Sequence, residues 1–485
     1  MSTKEKAKPV SVLFAAFEAT PFIKTGGLGD VAGSLPSALK SSACDVRVIL
    51  PKLRQIPWEY HEQMEFLTSF GVPLGWRNQH CGIFTLKLGK IQYYFLDNEY
   101  YFARDNAYGY MDDGERAAYF SKAVLESIEH IPDFFPDVIH AHDWHTAMIP
   151  VFLREQYRDV PGFDRIKTVF TIHNLKFQGI CNEYALGDLL GLGDCKNAAD
   201  QLHWGRDCIN FMQGALYYSD YITTVSPTYA QEICTYTYGE KLDHVLAQRT
   251  DRLQGILNGI DTRKFDPKKA VFPFSASDMA GKAECKTALQ RELGLPVRPE
   301  APLIVLISRL TDQKGMDLLA GCLDRILNLD LQLAILGTGD EHYEWMLSCA
   351  ANGRPDKMAV RLTFDEALSM RMYAGADLLL MPSLFEPCGL NQMIAMAYGT
   401  LPIVRETGGL KDSVIPYNQY TGEGDGFSFR NPSSWELGDC ITGVTDLYHN
   451  APEVWEQLRL HAMAKDFGWK NSAHAYREIY RMLVD

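Results

Sequence analysis

Short apolar runs recur along this chain, separated by longer segments whose apolar positions keep the 3.6-residue period of a helix. In the first half the runs fall at 12–17, 46–50, 83–88, 91–96, 138–141, 168–172, 222–225 and 253–257. Continuous apolar runs, rather than alternating ones, mark parallel strands covered on both faces. Between them, 31–39, 115–130 and 207–218 read as helices, the first in spite of Pro36. Gly89-Lys90, between two runs, reads as a hairpin turn. Strand and helix alternating in this way predict a doubly wound α/β sheet. The stretch 93–113, with Tyr93, Tyr94, Tyr100, Tyr101, Tyr108 and Tyr110, breaks the rhythm. It reads either as a sugar-contacting loop or as an insert that packs its own rings.

The pattern changes at Asn258-Gly259-Ile260-Asp261, where a polar stretch with Pro267, Lys268-Lys269 and Pro273 follows. A helix at 279–293 then leads into a second alternating unit, with strands at 302–307, 331–336, 359–362, 378–381 and 401–404. The expected organisation is an N-terminal domain at 10–257, a linker at 258–273 and a C-terminal domain at 274–465. A terminal segment, 466–485, carries an amphipathic helix at 471–484.

At 485 residues the chain is too long for one ordinary core and suits two such domains. A net charge of -14 argues against nucleic acid and against an anionic membrane surface, so a phosphate-bearing substrate would need a local basic cluster. Eleven scattered cysteines without a CxxC pair fit reduced thiols. Residues 1–9 are charged and resemble neither a signal nor a transit peptide, and no apolar run has the length of a membrane span. A cytoplasmic protein is the expectation.

Candidate chemistry gathers at strand ends, where open α/β sheets bind ligands. Lys24-Thr25-Gly26-Gly27-Leu28-Gly29-Asp30 joins the first strand to the first helix. Such a turn offers free N–H groups to an anion, and its glycines let a ligand approach the backbone. Lys24 adds a positive charge and Asp30 an acceptor for a sugar hydroxyl. The pattern returns at Thr407-Gly408-Gly409-Leu410-Lys411-Asp412, again after a strand. Arg309 and Lys314, after the first strand of the second domain, suit a diphosphate. Phe385-Glu386-Pro387-Cys388-Gly389-Leu390 puts a carboxylate where sugar hydroxyls could be held. His140, His142, Asp143 and His145 are zinc-type donors, yet strand spacing does not put them on one face. His173-Asn174 ends a further strand. There is no P-loop, nucleophile elbow or helical HExxH.

Taken together these motifs resemble the bacterial glycogen synthases and plant starch synthases. The similar stretches include Lys24 to Val31, His140 to His145, His173-Asn174, Ile256 to Asp261, Arg309 to Gly315, Pro382 to Leu390, Thr407 to Leu410 and Asp466 to Trp469, in family order over nearly the whole chain. The resemblance implies a glycosyltransferase B fold: two Rossmann-like domains, an interdomain active-site cleft, and a last helix that crosses back to the first domain. It implies transfer of glucose from ADP-glucose to the non-reducing end of an α-1,4-glucan, with retention, no metal and no cofactor. By this resemblance Lys24, Gly26 and Gly27 meet the phosphate and glucose, and Asp30 the ribose. Arg309 and Lys314 neutralise the diphosphate. Glu386, with the backbone of Cys388, Gly389 and Leu390, holds glucose hydroxyls. Asp143, His173 and Asn258 line the glucose site, Phe364 lies beside adenine, and Thr407, Gly408 and Gly409 contact the donor. Many retaining enzymes of this fold carry a second glutamate, and here Ile394 stands at that position. An enzyme of the same fold using UDP-glucose or a small acceptor is the alternative. A catalytically silent glucan-binding protein is disfavoured, because Lys24, Arg309, Lys314 and Glu386 are all present. The sequence leaves the formation of a homo-oligomer open.

Overall fold

A computed structural model of the protein describes residues 8–41 and 43–485, so most of the charged stretch at 1–9 lies outside the described residues. The chain divides into two compact units, 1–259 with 469–485, and 260–468. Residues 258 and 259 thus group with the first unit, and 260–273 with the second. The 260–273 stretch is tied in by the Ile260 N–H, which donates to Phe467 O at 2.8 Å.

The described residues of the first unit form a nine-stranded sheet. Its order is Leu253–Gly255, Tyr221–Thr224, Lys167–Ile172, Val138–His142, Val10–Ala15, Cys44–Pro51, Ile91–Asp97, Arg77–Leu88, Glu65–Leu74. The first seven run parallel, and the last two extend one edge as antiparallel strands. Leu88 pairs with Ile91 across the Gly89-Lys90 turn. Val10–Ala15 is buried throughout, Ser11 included. The order reverses between Val10–Ala15 and Val138–His142, which creates a topological switch point at their carboxyl ends.

Six strands in the second unit are all parallel, in the order Met358–Arg361, Gln332–Leu336, Leu303–Ile307, Leu378–Met381, Leu401–Arg405, Phe427–Phe429. In chain order this reads 3-2-1-4-5-6, the dinucleotide-fold arrangement, with its switch point between Leu303–Ile307 and Leu378–Met381. Both units are therefore doubly wound and share one strand order around their switch points.

Three local expectations change. The first helix starts at Gly27 rather than 31, and runs to Leu39 with Pro36 buried inside it. The 207–218 stretch is not one helix. Cys208–Asn210 pairs with Ile180–Asn182 and with His203–Trp204, and the helix begins at Phe211, where Asn210 Oδ1 accepts from the Gln213 N–H. A cap of this kind sets a helix start more firmly than apolar periodicity does. The aromatic stretch packs largely against the rest of the first unit: Tyr93 meets Phe22, Tyr101 stacks on Tyr119, and Tyr108 lies against Phe17 and His145, while Tyr100 is exposed.

The helix Lys470–Val484 belongs to the first unit. Tyr476, Ile479 and Tyr480 are buried with the core of the first sheet, and Ser472 Oγ donates to Leu257 O at 2.5 Å. Arg477 Nη1 donates to Ala38 O at 3.0 Å, tying this helix to Gly27–Leu39. Both helices flank the switch-point strands.

Candidate active site

In the first unit the glycine turn occupies the carboxyl end of Val10–Ala15. A residue that sequence reading passed over organises it. Glu18 is buried, and its carboxylate accepts from the Thr25 N–H (2.6 Å), the Thr25 hydroxyl (2.5 Å) and the Gly29 N–H (3.0 Å). Burial pushes the Glu18 carboxyl up, against these hydrogen bonds. With Thr25 and Gly29 committed to Glu18, the N–H groups of Gly26 and Gly27 make no hydrogen bond among the described residues, and helix Gly27–Leu39 starts there. A Cβ on Gly27 would meet nothing within 4 Å. The chain's own packing does not demand glycine at that position. Lys24 Nζ lies 2.8 Å from Asp30 Oδ2, with both side chains partly open to solvent.

Asp143 follows the strand on the other side of the switch point, with φ of 57°. Its Oδ1 accepts from the N–H groups of His173 (2.7 Å) and Asn174 (3.3 Å), so the ends of two neighbouring strands are joined. Asn258, just beyond Leu253–Gly255, is buried, and its Oδ1 has no hydrogen-bond partner among the described residues. Lys24, Gly26, Gly27, Asp30, Asp143, His173 and Asn258 all stand at the carboxyl edge of one sheet.

The histidines do different work. His140 is a core residue, bonded to Tyr480 (2.7 Å) and Thr171 (2.6 Å). His142 Nδ1 meets His173 Nε2 at 3.0 Å. His145 stacks on Phe17 at 4.8 Å between ring centroids. Among the described residues no group of three or more His, Cys, Asp or Glu is arranged to hold a metal ion. Burial brings His145 and His173 down to about 3 and so keeps both neutral.

Burial also pushes Asp143 up to about 7, despite its two backbone donors. Between the ordinary carboxylate value and 7, the folded protein therefore holds a proton that the unfolded chain releases. The stabilisation that this group contributes is complete below pH 3.8 and is lost as pH rises through about 7. Asp143→Asn keeps an acceptor for both N–H groups and cannot ionise. Denaturant unfolding of both forms at pH 5 and pH 8 should show the variant gaining on the native protein as pH rises; a constant difference would refute the shift.

In the second unit the two loops at the switch point are locked together. Lys314 Nζ lies 2.6 Å from Glu386 Oε2, and the Ser383 hydroxyl donates to the same oxygen at 3.0 Å. The Leu384 N–H donates to Gln313 O at 2.9 Å. Gly315, with φ of +73°, passes so close that a Cβ would sit 2.1 Å from Pro382 O. Both the backbone angle and the contact therefore require glycine there. Arg405, buried, donates from Nε to Ser383 O at 2.8 Å and from Nη2 to Leu384 O, bracing the Glu386 loop from below. Arg309 is exposed, and among the described residues its guanidinium has no partner. Phe364, beyond strand Met358–Arg361, is 79% exposed, an uncovered ring at the same sheet edge.

Cys388 is buried, and Gly389 and Leu390 lead into helix Asn391–Ala397. Ile394 lies on that helix with its side chain in the core. Thr407, Gly408 and Gly409 do not form a second open anion turn. The Gly409 N–H donates to Glu386 O (3.1 Å) and Pro387 O (3.2 Å), so this turn holds the Glu386 loop. A Cβ on Gly409 would lie 2.2 Å from Cys388 O.

Ser383, Arg405 and Glu18 were the functional neighbours missed in the sequence. Only Glu18 left a trace there, as a lone carboxylate in an otherwise apolar segment before the glycine turn.

Residues 11–248 match the family model of the starch synthase catalytic domain, and 294–451 match that of the group 1 glycosyl transferases. A glycogen synthase from Bacillus cereus is 50% identical over 98% of this chain and 100% of its own length. One from Desulfitobacterium hafniense is 49% identical over 98% of this chain and 99% of its own. Among solved structures, the catalytic domain of starch synthase IV from Arabidopsis thaliana, bound to ADP and acarbose, matches with a TM-score of 0.89 and 34% identity, covering 98% of this chain and 99% of that one. The two-domain α/β architecture is that of the glycosyltransferase B fold. This chain belongs to the glycogen synthase and starch synthase family of glucosyltransferases.

Proposed function

We propose that the chain transfers glucose from ADP-glucose to the non-reducing end of an α-1,4-glucan, with retention at the anomeric carbon. The observation that carries this reading is the second unit's switch point, where Lys314 and Glu386 are locked at 2.6 Å and Arg309, on the same strand-end loop as Lys314, has a guanidinium with no partner among the described residues. Breaking the bond between sugar and diphosphate leaves negative charge on the nucleotide and positive charge on the ring. A catalyst must stabilise both more strongly in the transition state than before it. Arg309 and Lys314 supply cations for the leaving group, and Glu386 an acceptor for glucose hydroxyls. On the first unit, Lys24 and the Gly26 and Gly27 N–H groups answer the phosphate charge, and Asp30 takes the ribose. Asp143, His173 and Asn258 answer the sugar, and Phe364 offers a face to adenine.

Retaining glycosidases use two close carboxylates, one as nucleophile. Here Asp143 and Glu386 are both engaged in fixing loops, and both read as hydroxyl binders. The attacking hydroxyl approaches the face that the phosphate leaves, and the departing phosphate takes its proton. The backbone at His173 eases the positive charge. A glucosyl adduct trapped on Asp143 or Glu386 would exclude this route.

The direct test is glucose incorporation into glycogen from ADP-glucose beside UDP-glucose, with and without EDTA. We expect transfer from ADP-glucose at least tenfold above UDP-glucose, unchanged by the chelator. Preference for UDP-glucose, or transfer only to a small acceptor, would move the chain to the alternative reading. Loss in EDTA would show that a divalent ion takes part.

A further inference from the structure

The pair of imidazoles at the end of strands Val138–His142 and Lys167–Ile172 has a chemical consequence beyond the family assignment. His142 is fully buried, and burial pushes its pKa well below the ordinary value, so the ring is neutral. Its Nδ1 lies 3.0 Å from His173 Nε2, and its Nε2 is buried without a hydrogen-bond partner among the described residues. Phe14 lies against the ring at 4.0 Å between centroids and His140 at 4.0 Å, and among the described residues no hydrogen-bond partner reaches that second nitrogen.

Two neutral rings sharing one hydrogen bond allow two arrangements. If His173 donates from Nε2, then His142 carries its own proton on Nε2 and leaves a buried N–H with no acceptor. If His142 donates from Nδ1, its Nε2 is a bare lone pair. A buried orphan donor is the rarer and costlier of the two. In the second arrangement His173, neutral and with Nε2 accepting, must hold its proton on Nδ1. That nitrogen makes no hydrogen bond among the described residues, and the His173 side chain is only half-buried.

We infer that His142 is a positioning residue that fixes the tautomer of His173, so that His173 presents an Nδ1–H donor to an oxygen of the bound sugar. The inference rests on the placement of His173 in the glucose site proposed above. The surrounding groups are consistent with it. Asp143 accepts from the His173 backbone N–H rather than from its ring. The two nitrogens of His140 are occupied by Tyr480 and Thr171, so neither competes for His142.

The test begins with protein labelled with 15N at its 13 histidines. A long-range 1H–15N spectrum, with the His173 signals assigned by their loss in His173→Asn, reports the tautomer directly. A protonated Nδ1 and a bare Nε2 on His173 are expected, and the reverse pattern would overturn the inference. The second arm uses His142→Asn, whose amide nitrogen can stand in for the Nδ1 donor, and His142→Phe, which keeps the ring against Phe14 but cannot donate. The asparagine variant should retain kcat within about threefold, and the phenylalanine variant should lose tenfold or more in kcat. Equal kcat in the two variants would sink the positioning role. If the phenylalanine variant does not fold, the labelled spectrum still decides. The spectrum is read without substrate, so failure of the glucosyl-transfer reading leaves a separate mark, in the assay with ADP-glucose.

Discussion

Glu386→Gln should lower glucosyl transfer by roughly a thousand-fold while leaving the melting temperature within a few degrees. The substitution is nearly isosteric, so the Ser383 hydroxyl can still donate to the side-chain oxygen. Lys314 loses its counter-charge but reaches solvent, with its side chain 18% exposed, and water can take over. What disappears is the ionised acceptor, which binds sugar hydroxyls more strongly as the ring gains positive charge. Removing one group aimed at developing charge costs about 10²–10³ in turnover in enzymes generally. Lys314→Ala should lose about a hundredfold in kcat with little change in glucan affinity, because its charge answers the leaving diphosphate rather than the acceptor. In the double variant the losses should not add, since each residue fixes the other at 2.6 Å. Transfer within tenfold of the native rate in Glu386→Gln would remove this carboxylate from the site. A fully additive double variant would separate it from Lys314.

Much of the frame could be read from the chain because its strands are buried on both faces. A run such as Leu303–Ile307 has no solvent face, so its apolar character is continuous and visible without any partner. The positions of Lys24, Asp143, His173, Arg309, Lys314 and Glu386 follow from that, since each stands just past such a run. What the chain conceals is the set of contacts that depend on a distant neighbour. Arg405 lies at the end of its own strand, and nothing nearby in sequence announces that it braces the carbonyls of Ser383 and Leu384. Glu18 likewise looks like an isolated acid until the turn folds over it. The 207–218 stretch misleads for a related reason: Cys208–Asn210 finds strand partners 26 to 30 residues upstream, at Ile180–Asn182, and cross-strand pairing decides against the local period.

The two Thr-Gly-Gly-Leu turns carry this lesson into an experiment. Gly27→Ala and Gly409→Ala are the same change in the same motif, and they should fail differently. At Gly27 the new methyl meets open space, and an alanine in the first turn of a helix gains up to about 1 kcal/mol over glycine. The variant should melt no lower than the native protein, yet lose about a hundredfold in kcat/KM for the nucleotide sugar, because the methyl occupies the approach to the free N–H groups. At Gly409 the methyl would press against Cys388 O at 2.2 Å and Cys388 Cα at 2.4 Å, backbone that cannot swing aside. Overpacking of this sort costs about 1–3 kcal/mol, and here the strain falls on the loop that carries Glu386. Gly409→Ala should therefore lower stability and activity together, and a lower assay temperature should recover part of the activity by restoring the folded fraction. No such recovery is expected for Gly27→Ala, whose fold is already intact. Should Gly27→Ala keep full activity, the first turn would be no more than a joint between strand and helix, and the phosphate role of its amides would have to be abandoned.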